Sequence, residues 1–282
     1  MKKILIIGSS GLLGSSLSEF LILQGYEVVT VTRTSLNSNY RIQADIAEQL
    51  DEVLNKENPQ YIINLAALTD VALCETEPSL AFSLNACIPD NIARSSYKNS
   101  HVIHISTDHI YNSNLSKENE VVVLNNYAKT KLEGEQYCDL SRTTILRTNF
   151  FGKSKSMRSV GLCDSVYEMA LSGRKLSLFK DVFFSPLSID SLIENILLVI
   201  HNPKAGVYNL GSRCGMSKGD FISKFLTEVN AEFEYELVNM PELSVARPHD
   251  MRMCITKFEQ TFSTTMPKLE EEIRKVANEY KV

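Results

Sequence analysis

A tyrosine and a lysine four residues apart, Tyr127 and Lys131, are the pair whose types and spacing suit proton transfer. On a helix, this spacing puts the phenol and the ammonium on one face. A cation at close range favours the phenolate, so Lys131 is expected to lower the pKa of Tyr127 and to make the phenol a better proton donor to a carbonyl. Lys131 could also hold the ribose of a cofactor. The same spacing occurs by chance in many helices, so other residues must support this interpretation.

A threonine that follows a predicted strand, Thr107, is the natural companion of this pair. It stands between Ser106 and Asp108, just after the apolar run that predicts a strand over His101–Ser106. Ligands of open parallel sheets bind beyond the carboxyl ends of the strands. The Thr107 hydroxyl can therefore orient the oxygen that Tyr127 protonates. The alternative is an ordinary polar turn or helix cap, which such triplets often form.

Three glycines at intervals of three residues, Gly8, Gly11 and Gly14, follow the buried strand Ile4–Ile7. A glycine-rich turn of this kind tolerates unusual dihedrals, brings backbone amides close to a pyrophosphate and lets a helix pack on the strand. Any strand-to-helix turn can carry such a triplet, but its place at the start of the first βαβ unit favours a dinucleotide site. The predicted cofactor-binding turn comprises Gly8, Ser10, Gly11, Leu12, Leu13 and Gly14.

The end of the second strand bears on the choice of cofactor. It reads Val31-Thr32-Arg33, with no carboxylate for the ribose 2′-hydroxyl of NAD. Arg33 could instead meet a 2′-phosphate, which favours NADP(H), while NAD(H) stays open. A solvated arginine that covers the adenine is the alternative.

Two further segments are expected to border the dinucleotide. Asp45, followed by Ile46, suits a contact with the adenine amino group, although an aspartate here could simply cap a helix. Leu65, Ala66 and Ala67 end the third strand with side chains small enough for a dinucleotide to lie across the sheet edge.

Alternating strands and helices are the elements that must position these residues. Such alternation predicts an α/β fold with a doubly wound, Rossmann-type parallel sheet of six strands. We expect a dinucleotide-binding domain over residues 1–152, to which later segments contribute, and a smaller mixed substrate-binding lobe over residues 153–282. The predicted helices are Leu12–Leu23, Ile46–Leu54, Ser79–Lys98, Tyr127–Asp139, Val160–Leu171, Ser188–His201, Lys218–Glu228 and Pro267–Tyr280; the predicted strands are Ile4–Ile7, Val28–Val31, Tyr61–Leu65, His101–Ser106 and Thr143–Arg147, with extended pieces at Lys175–Phe179, Val207–Leu210 and Glu232–Leu237.

Composition narrows the function classes. The chain has 282 residues, 44% of them hydrophobic, and a net charge of -5, which argues against disorder, nucleic-acid binding and an anionic membrane surface. The longest apolar run, Ile196–Ile200, is too short for a membrane span. Six cysteines without a CxxC spacing predict reduced thiols in a cytoplasmic protein and no metal site.

Together these residues resemble the extended short-chain dehydrogenase/reductase family, and within it the dTDP-4-dehydrorhamnose reductase-like branch, over nearly the whole chain. The shared motifs are Gly8-x-x-Gly11-x-x-Gly14, Asn64-Leu65-Ala66-Ala67-Leu68-Thr69, Cys74-Glu75-x-x-Pro78 leading to Asn85-Ala86, His104-Ile105-Ser106-Thr107-Asp108, Tyr127-x-x-x-Lys131, Leu146-Arg147-Thr148-Asn149-Phe150-Phe151-Gly152, Phe184-Ser185-Pro186 and Arg247-Pro248.

The resemblance implies a reductase of a nucleotide-linked 4-keto-6-deoxy sugar, in nucleotide-sugar and polysaccharide biosynthesis. Thr107, Tyr127 and Lys131 correspond to the catalytic triad of the family. NADPH, or NADH, would deliver hydride to the C4 ketone while Tyr127 donates the proton. A homodimer is compatible with this assignment.

Substrate contacts follow from the same resemblance. Phe150, where relatives often have a tryptophan, would flank the sugar together with Asn149, and Asp108 would contact its hydroxyls. Arg247 is the candidate for the diphosphate, because a guanidinium fork matches phosphate oxygens; a surface arginine without a ligand is the alternative.

One related activity is not expected. Sugar-nucleotide 4,6-dehydratases usually place a glutamate after the aspartate, whereas Asp108 is followed by His109, so no water elimination is expected. Two other functions stay open. A non-catalytic NADP-binding regulatory subunit is one alternative, and an NAD-dependent sugar-nucleotide epimerase is the other. Ala128 replaces the glycine that normally follows the catalytic tyrosine, and Val71-Ala72 replaces the usual Val-Asp, so the identity of the sugar is left open.

Overall fold

The structure is a computed structural model that describes residues 2–33, 37–157 and 159–281. The outer ends of the two predicted domains, residues 1 and 282, lie outside these ranges. In chain order the elements are β1 (Lys3–Ile7), α1 (Leu12–Leu23), β2 (Glu27–Thr32), β3 (Tyr40–Arg41), α2 (Ala47–Glu57), β4 (Tyr61–Asn64), α3 (Val71–Thr76), α4 (Pro78–Phe82), a π-helical turn (Ser83–Cys87), α5 (Ile88–Arg94), β5 (His101–Thr107), α6 (Asn126–Tyr137), β6 (Thr143–Thr148), β7 (Phe150–Phe151), α7 (Leu162–Leu171), β8 (Leu176–Phe179), β9 (Phe183–Phe184), β10 (Leu187–Ser188), α8 (Ile189–His201), β11 (Gly206–Leu210), β12 (Met216–Ser217), α9 (Lys218–Glu228), β13 (Tyr235–Val238), α10 (Thr256–Phe262) and α11 (Leu269–Ala277).

The central sheet has seven parallel strands in the order β11-β6-β5-β4-β1-β2-β3. The chain winds outward from β1 in both directions, which confirms the predicted doubly wound α/β fold. The direction of winding changes at β1, which has β2 on one side and β4 on the other. A crevice opens there beyond the carboxyl ends of the strands, and open α/β sheets bind ligands in such crevices.

The sheet has seven strands rather than the expected six; five of them match the predicted strands, and two, β3 and β11, do not. β3 has only two residues, Tyr40–Arg41, too few to show a hydrophobic period. The apolar piece Val207–Leu210 was assigned to the C-terminal lobe, but it lies in β11, which pairs in parallel with β6 and completes the main sheet. This pairing joins segments far apart in the chain, so no local pattern indicates it.

Helices cover both faces of the sheet, because successive residues of a strand point to opposite sides. Ile4 and Ile6 of β1 pack in a cluster with α1, α8 and α10. Leu5 and Ile7 pack in a second cluster with α2 and α5. All four side chains are at most 2% exposed, so β1 is buried on both faces and its carboxyl end is held rigidly.

The helix predicted over Ser79–Lys98 is wrong in its bounds and its regularity. It begins at Pro78, passes through the π-helical turn at Ser83–Cys87 and ends at Arg94. Pro89 has no N–H to offer the carbonyl of Asn85 four residues earlier, which explains the local change of helical pattern. The short helices α3 and α10 were not predicted.

A smaller group of elements in the second half of the chain has its own core. β8 pairs with β13 and β9 with β12, and α7, α9 and α11 pack around them. The division into two domains at residue 152, with later segments adding to the first, stays a prediction; β11, from the second half of the chain, pairs with β6 in the main sheet. Within the described ranges, every helix is too short or too polar to cross a bilayer.

Candidate active site

Two adjoining cavities form a cleft across the carboxyl ends of the strands. The larger, of about 430 Å³, extends from the glycine turn to Thr107, Tyr127 and Lys131. The smaller, of about 240 Å³, lies beside Arg33 and Asp45. Four residues line both cavities, namely Gly8, Gly11, Leu65 and Ala67. The two halves therefore make one elongated cleft that spans β1, at the position expected for a dinucleotide.

The glycine turn is shaped by close backbone approaches. Gly8 has a φ of +86°, and a Cβ there would lie 2.8 Å from the backbone nitrogen of Ala66. A Cβ on Gly14 would lie 2.3 Å from the carbonyl oxygen of Gly8, so α1 can pack this closely on the turn only because this residue is glycine. Gly11 is different, because its Cβ would meet nothing closer than 3.5 Å within the protein.

The rest of the predicted turn lies along the same cleft. Leu12 and Leu13 line the larger cavity and Ser10 the smaller one. Gly11 is the N-cap residue of α1 and has no side chain that could cap the helix. The first backbone N–H groups of α1 are therefore left without a side-chain partner at the edge of the cleft.

The smaller cavity contains most of the residues predicted for the adenosine half of a cofactor. Arg33 and Ala66 line it, and so does Asp45, whose carboxylate accepts a hydrogen bond from the Ser83 hydroxyl. Asp45 does not cap α2, because the N-cap position is Ile46. Ile46 is 36% exposed and does not line the cavity, so the structure separates it from the other predicted cofactor residues.

The predicted catalytic residues meet in the larger cavity. Thr107 and Tyr127 line it together, and the Thr107 hydroxyl accepts a 3.1 Å hydrogen bond from the backbone N–H of His109. The His109 ring packs edge-on against the Tyr127 ring, with centroids 5.4 Å apart. Lys131 is 2% exposed and donates a 2.8 Å hydrogen bond to the carbonyl oxygen of Ile105.

The expected lowering of the Tyr127 pKa by Lys131 is wrong. Burial raises the pKa of Tyr127 well above its usual value, and the polar Thr107 side chain only partly opposes this effect. Lys131 is not among the groups that lower it, because its ammonium is directed at the Ile105 carbonyl. Burial also lowers the pKa of Lys131 to about 8. The phenol therefore stays protonated at neutral pH.

Asp108 and Asn149 form a polar wall next to the tyrosine. The Asn149 side-chain amide donates a 2.9 Å hydrogen bond to Oδ2 of Asp108, and Phe150 follows along the same cavity. Burial raises the pKa of Asp108 to about 6, and it lowers the pKa of His109 to about 4. At neutral pH this wall therefore offers a carboxylate and a neutral imidazole.

The beginning of α6 is anchored by residues that sequence reasoning did not assign. Oδ1 of Asn125 caps the helix by accepting from the Ala128 N–H at 2.9 Å. The carboxylate of Glu75, on α3, accepts from both the backbone and the side chain of Asn126 at 2.6 and 2.8 Å. These contacts fix the turn that carries Tyr127.

The second half of α6 is held by a buried ion pair and by the close packing of a glycine. Glu135 pairs with Arg147 of β6 at 2.6 Å, with side chains only 4% and 5% exposed. Gly134 lies against the π-helical turn, where a Cβ would come within 2.2 Å of the Asn85 carbonyl oxygen. Asn85 and Arg147 occur in motifs noted above, but no local signal reveals their partners.

Arg247 lies apart from the other predicted site residues. It is exposed and does not line the larger cavity. The side-chain amide of Asn125 holds the neighbouring carbonyl of Ala246 at 2.9 Å, and the charge of Arg247 helps to lower the pKa of His109. The guanidinium is thus near the substrate side of the cleft rather than inside it.

A seven-stranded, doubly wound sheet with a glycine turn after its first strand and a Tyr-x-x-x-Lys helix beside Thr107 defines a protein of the extended short-chain dehydrogenase/reductase fold. The chain matches the RmlD substrate binding domain over residues 1–282 and belongs to that family.

Its relatives are similar over almost their whole length. The dTDP-4-dehydrorhamnose reductase of Aggregatibacter actinomycetemcomitans is 29% identical, covering 93% of this chain and 94% of the relative. The dTDP-4-dehydrorhamnose reductase of Shigella flexneri is 26% identical, covering 98% and 97%. The Bacillus anthracis dTDP-4-dehydrorhamnose reductase, solved in complex with NADP, superposes with a TM-score of 0.89 at 23% identity, covering 99% and 100%, which shows the common fold.

Proposed function

We propose that this protein is an NADPH-dependent reductase of a nucleotide-linked 4-keto-6-deoxy sugar, like the dTDP-4-dehydrorhamnose reductases it resembles. The observation that carries this proposal is the continuous cleft. It joins the glycine turn of a dinucleotide site to the hydroxyls of Thr107 and Tyr127 across a single sheet edge.

The cofactor assignment is supported by the fit of the cleft. Gly8 and Gly14 allow backbone approaches that a Cβ would block, and Gly11 leaves the start of α1 uncapped by a side chain, as binding of a pyrophosphate requires. Arg33 would meet the 2′-phosphate of NADP, with Asp45 and Ala66 beside the adenosine. When bound, NADPH supplies the hydride that reduces the C4 ketone and becomes NADP⁺.

The proton chemistry falls to the residues of α6 and β5. Tyr127 keeps its proton at neutral pH because burial raises its pKa, and it gives that proton to the carbonyl oxygen as the ketone becomes an alcohol. Thr107, which lines the same cavity as the phenol, orients the same oxygen. Lys131, with a pKa of about 8, is mostly protonated at neutral pH and lines the same cavity, where it would hold the nicotinamide ribose.

The substrate would lie against the wall opposite the cofactor. Asp108 would accept hydrogen bonds from the sugar hydroxyls, with Asn149 holding its other oxygen, and Phe150 would flank the ring. Arg247 would reach the diphosphate from the rim. His109 stands where dehydratases usually have a glutamate, and its pKa of about 4 makes it a poor acid for eliminating water at neutral pH.

The assay that tests this function measures NADPH consumption by the purified protein with dTDP-4-keto-6-deoxy sugars. Turnover to the 4-hydroxy sugar is expected, with the cofactor exchanged in every cycle. Binding of NADPH without turnover would replace the proposal with a regulatory subunit. NAD that survives purification, together with interconversion of sugar epimers, would replace it with an epimerase.

Two further expectations accompany this function. The cysteines of the described ranges are free thiols, which supports a location in the cytoplasm, to be checked by fractionation. A homodimer is compatible with this function, and light scattering of the purified protein tests for it.

A further inference from the structure

His109, which follows Asp108 just beyond the end of β5, lines the larger cavity. Two contacts fix its position. Its backbone N–H donates a 3.1 Å hydrogen bond to the Thr107 hydroxyl, and its ring packs edge-on against the Tyr127 ring, with centroids 5.4 Å apart. The imidazole is therefore held beside the two residues assigned to the reacting carbonyl.

The ring contact leaves a nitrogen of His109 without a partner. Four buried side-chain atoms in the described part of the chain have no hydrogen-bond partner, and two of them are Nδ1 of His109 and Oδ1 of Asp108. The other carboxylate oxygen, Oδ2 of Asp108, accepts from the Asn149 amide at 2.9 Å. A buried polar atom without a partner costs free energy. Two such atoms on adjacent residues of one cavity wall indicate a place where a ligand completes the bonding.

The protonation of these two groups indicates what kind of ligand atom fits them. At neutral pH Asp108, with a pKa of about 6, is mostly ionised and can only accept hydrogen bonds. His109, with a pKa of about 4, is neutral, so its ring has one N–H donor and one acceptor nitrogen. A hydroxyl group suits both residues, because it donates one hydrogen bond and accepts others. A carboxylate or phosphate would be repelled by the ionised Asp108.

We infer that His109 is a substrate-binding residue, whose Nδ1 forms a hydrogen bond with a hydroxyl of the sugar beside Asp108. This inference rests on the proposed function, which locates the sugar against this wall. Asp108 alone would accept from any donor, so it does not select a hydroxyl. His109 adds that selectivity, because a hydroxyl fits either tautomer of the imidazole, whereas an ammonium fits only the one with Nδ1 unprotonated.

Two substitutions separate the nitrogen of His109 from its ring. His109→Phe keeps an aromatic ring against Tyr127 and removes Nδ1, while His109→Asn places an amide near the position of Nδ1 and removes the ring. The matched control is His201→Phe, because His201 ends α8 on the surface, outside both cavities, where it hydrogen-bonds Tyr26 at 2.9 Å. Each NADP⁺-saturated protein is titrated with dTDP-glucose and with dTDP by calorimetry, and the melting temperature is measured without ligand.

The loss of a hydrogen bond to the sugar predicts that His109→Phe binds dTDP-glucose more weakly by about 3-fold to 30-fold. Its affinity for dTDP should change by less than about 2-fold, because dTDP has no sugar hydroxyl to reach the imidazole. His109→Asn should recover part of the lost affinity for dTDP-glucose. The melting temperature of His109→Phe should equal or exceed that of the wild type, because the substitution removes a buried atom without a partner.

A histidine with a purely structural role would give the opposite pattern, a lower melting temperature in His109→Phe with an unchanged ratio of the dTDP-glucose and dTDP affinities. An unchanged ratio, compared with the wild type and His201→Phe, would overturn the inference and leave the proposed function standing. Binding of neither ligand by the wild type would reject the dTDP-sugar assignment, and this inference with it. These titrations need no turnover, so their failure is distinguishable from failure of the reductase assay.

Discussion

Lys131 on α6 donates a hydrogen bond of 2.8 Å to the carbonyl oxygen of Ile105 on β5, two residues before Thr107. This bond ties the helix that carries Tyr127 to the strand that carries Thr107. The phenol and the threonine hydroxyl are therefore held in register by backbone elements rather than by flexible loops. Precise placement of this kind is what proton transfer over one hydrogen bond requires.

The ion pair of Arg147 with Glu135 joins the same helix, α6, to the neighbouring strand β6. Arg147→Met should lower the free energy of unfolding by about 3 to 5 kcal/mol, because it leaves the Glu135 carboxylate buried without its counter-charge. Urea denaturation measures this change. Arg94→Met is the matched control, since Arg94 pairs with Asp90 on the surface and its side chain is 75% exposed. Equal losses in the two variants would contradict the structural role of the buried pair.

Removing the phenolic hydroxyl tests the proton donor. Tyr127→Phe should lower kcat by roughly 10² to 10⁴ while NADPH binds with nearly unchanged affinity, because only general-acid catalysis is lost. Steady-state kinetics with a dTDP-4-keto-6-deoxy sugar and a fluorescence titration of NADPH measure the two quantities. Tyr137→Phe, at the exposed end of the same helix, should behave like the wild type. Full turnover by Tyr127→Phe would refute the assignment.

The preference for NADPH over NADH is predicted to depend on Arg33. Arg33→Ala should weaken NADPH binding by about 10-fold or more and leave NADH almost unaffected, because only NADPH carries the 2′-phosphate. The ratio of the two dissociation constants is the measurement. Arg41→Ala removes an exposed arginine from β3 and serves as the control. Parallel losses for both cofactors would mean that Arg33 does not contact the phosphate.

Local patterns predicted the parts of the site that are contiguous in the chain. The strand, glycine turn and first helix lie within residues 4–23, and Tyr127 and Lys131 lie on one helix, so hydrophobic period and spacing were sufficient. The order of these segments along the chain also indicated which strand ends meet at one edge.

Long-range contacts could not be predicted in the same way. The pairing of β11 with β6 and the packing of Gly134 on Asn85 join segments whose own sequences show no sign of the partner. The pKa of Tyr127 was predicted in the wrong direction because helical spacing reveals proximity to Lys131 but not burial, and burial is the larger effect here.

Asp108 should make the stability of the protein depend on pH. Burial raises its pKa from 3.8 to about 6, so ionisation of Asp108 lowers the free energy of unfolding. The protein keeps the full contribution of the neutral carboxyl below pH 3.8 and loses it as the pH rises through about 6. Asp108→Asn removes this ionisation. The free energy of unfolding of the variant, relative to the wild type, should therefore increase across that window, by up to about 3 kcal/mol.

Urea denaturation of both proteins over this pH range measures the effect, and Asp139→Asn provides a control of opposite sign. Hydrogen bonds from Ser141 lower the pKa of Asp139, so its ionisation favours folding, and its removal should make the variant relatively less stable as the pH rises. A difference between Asp108→Asn and the wild type that stays constant with pH would mean that the carboxyl titrates alike in the folded and unfolded chains. In that case Asp108 would not be the buried, desolvated acceptor that sugar recognition at this wall requires.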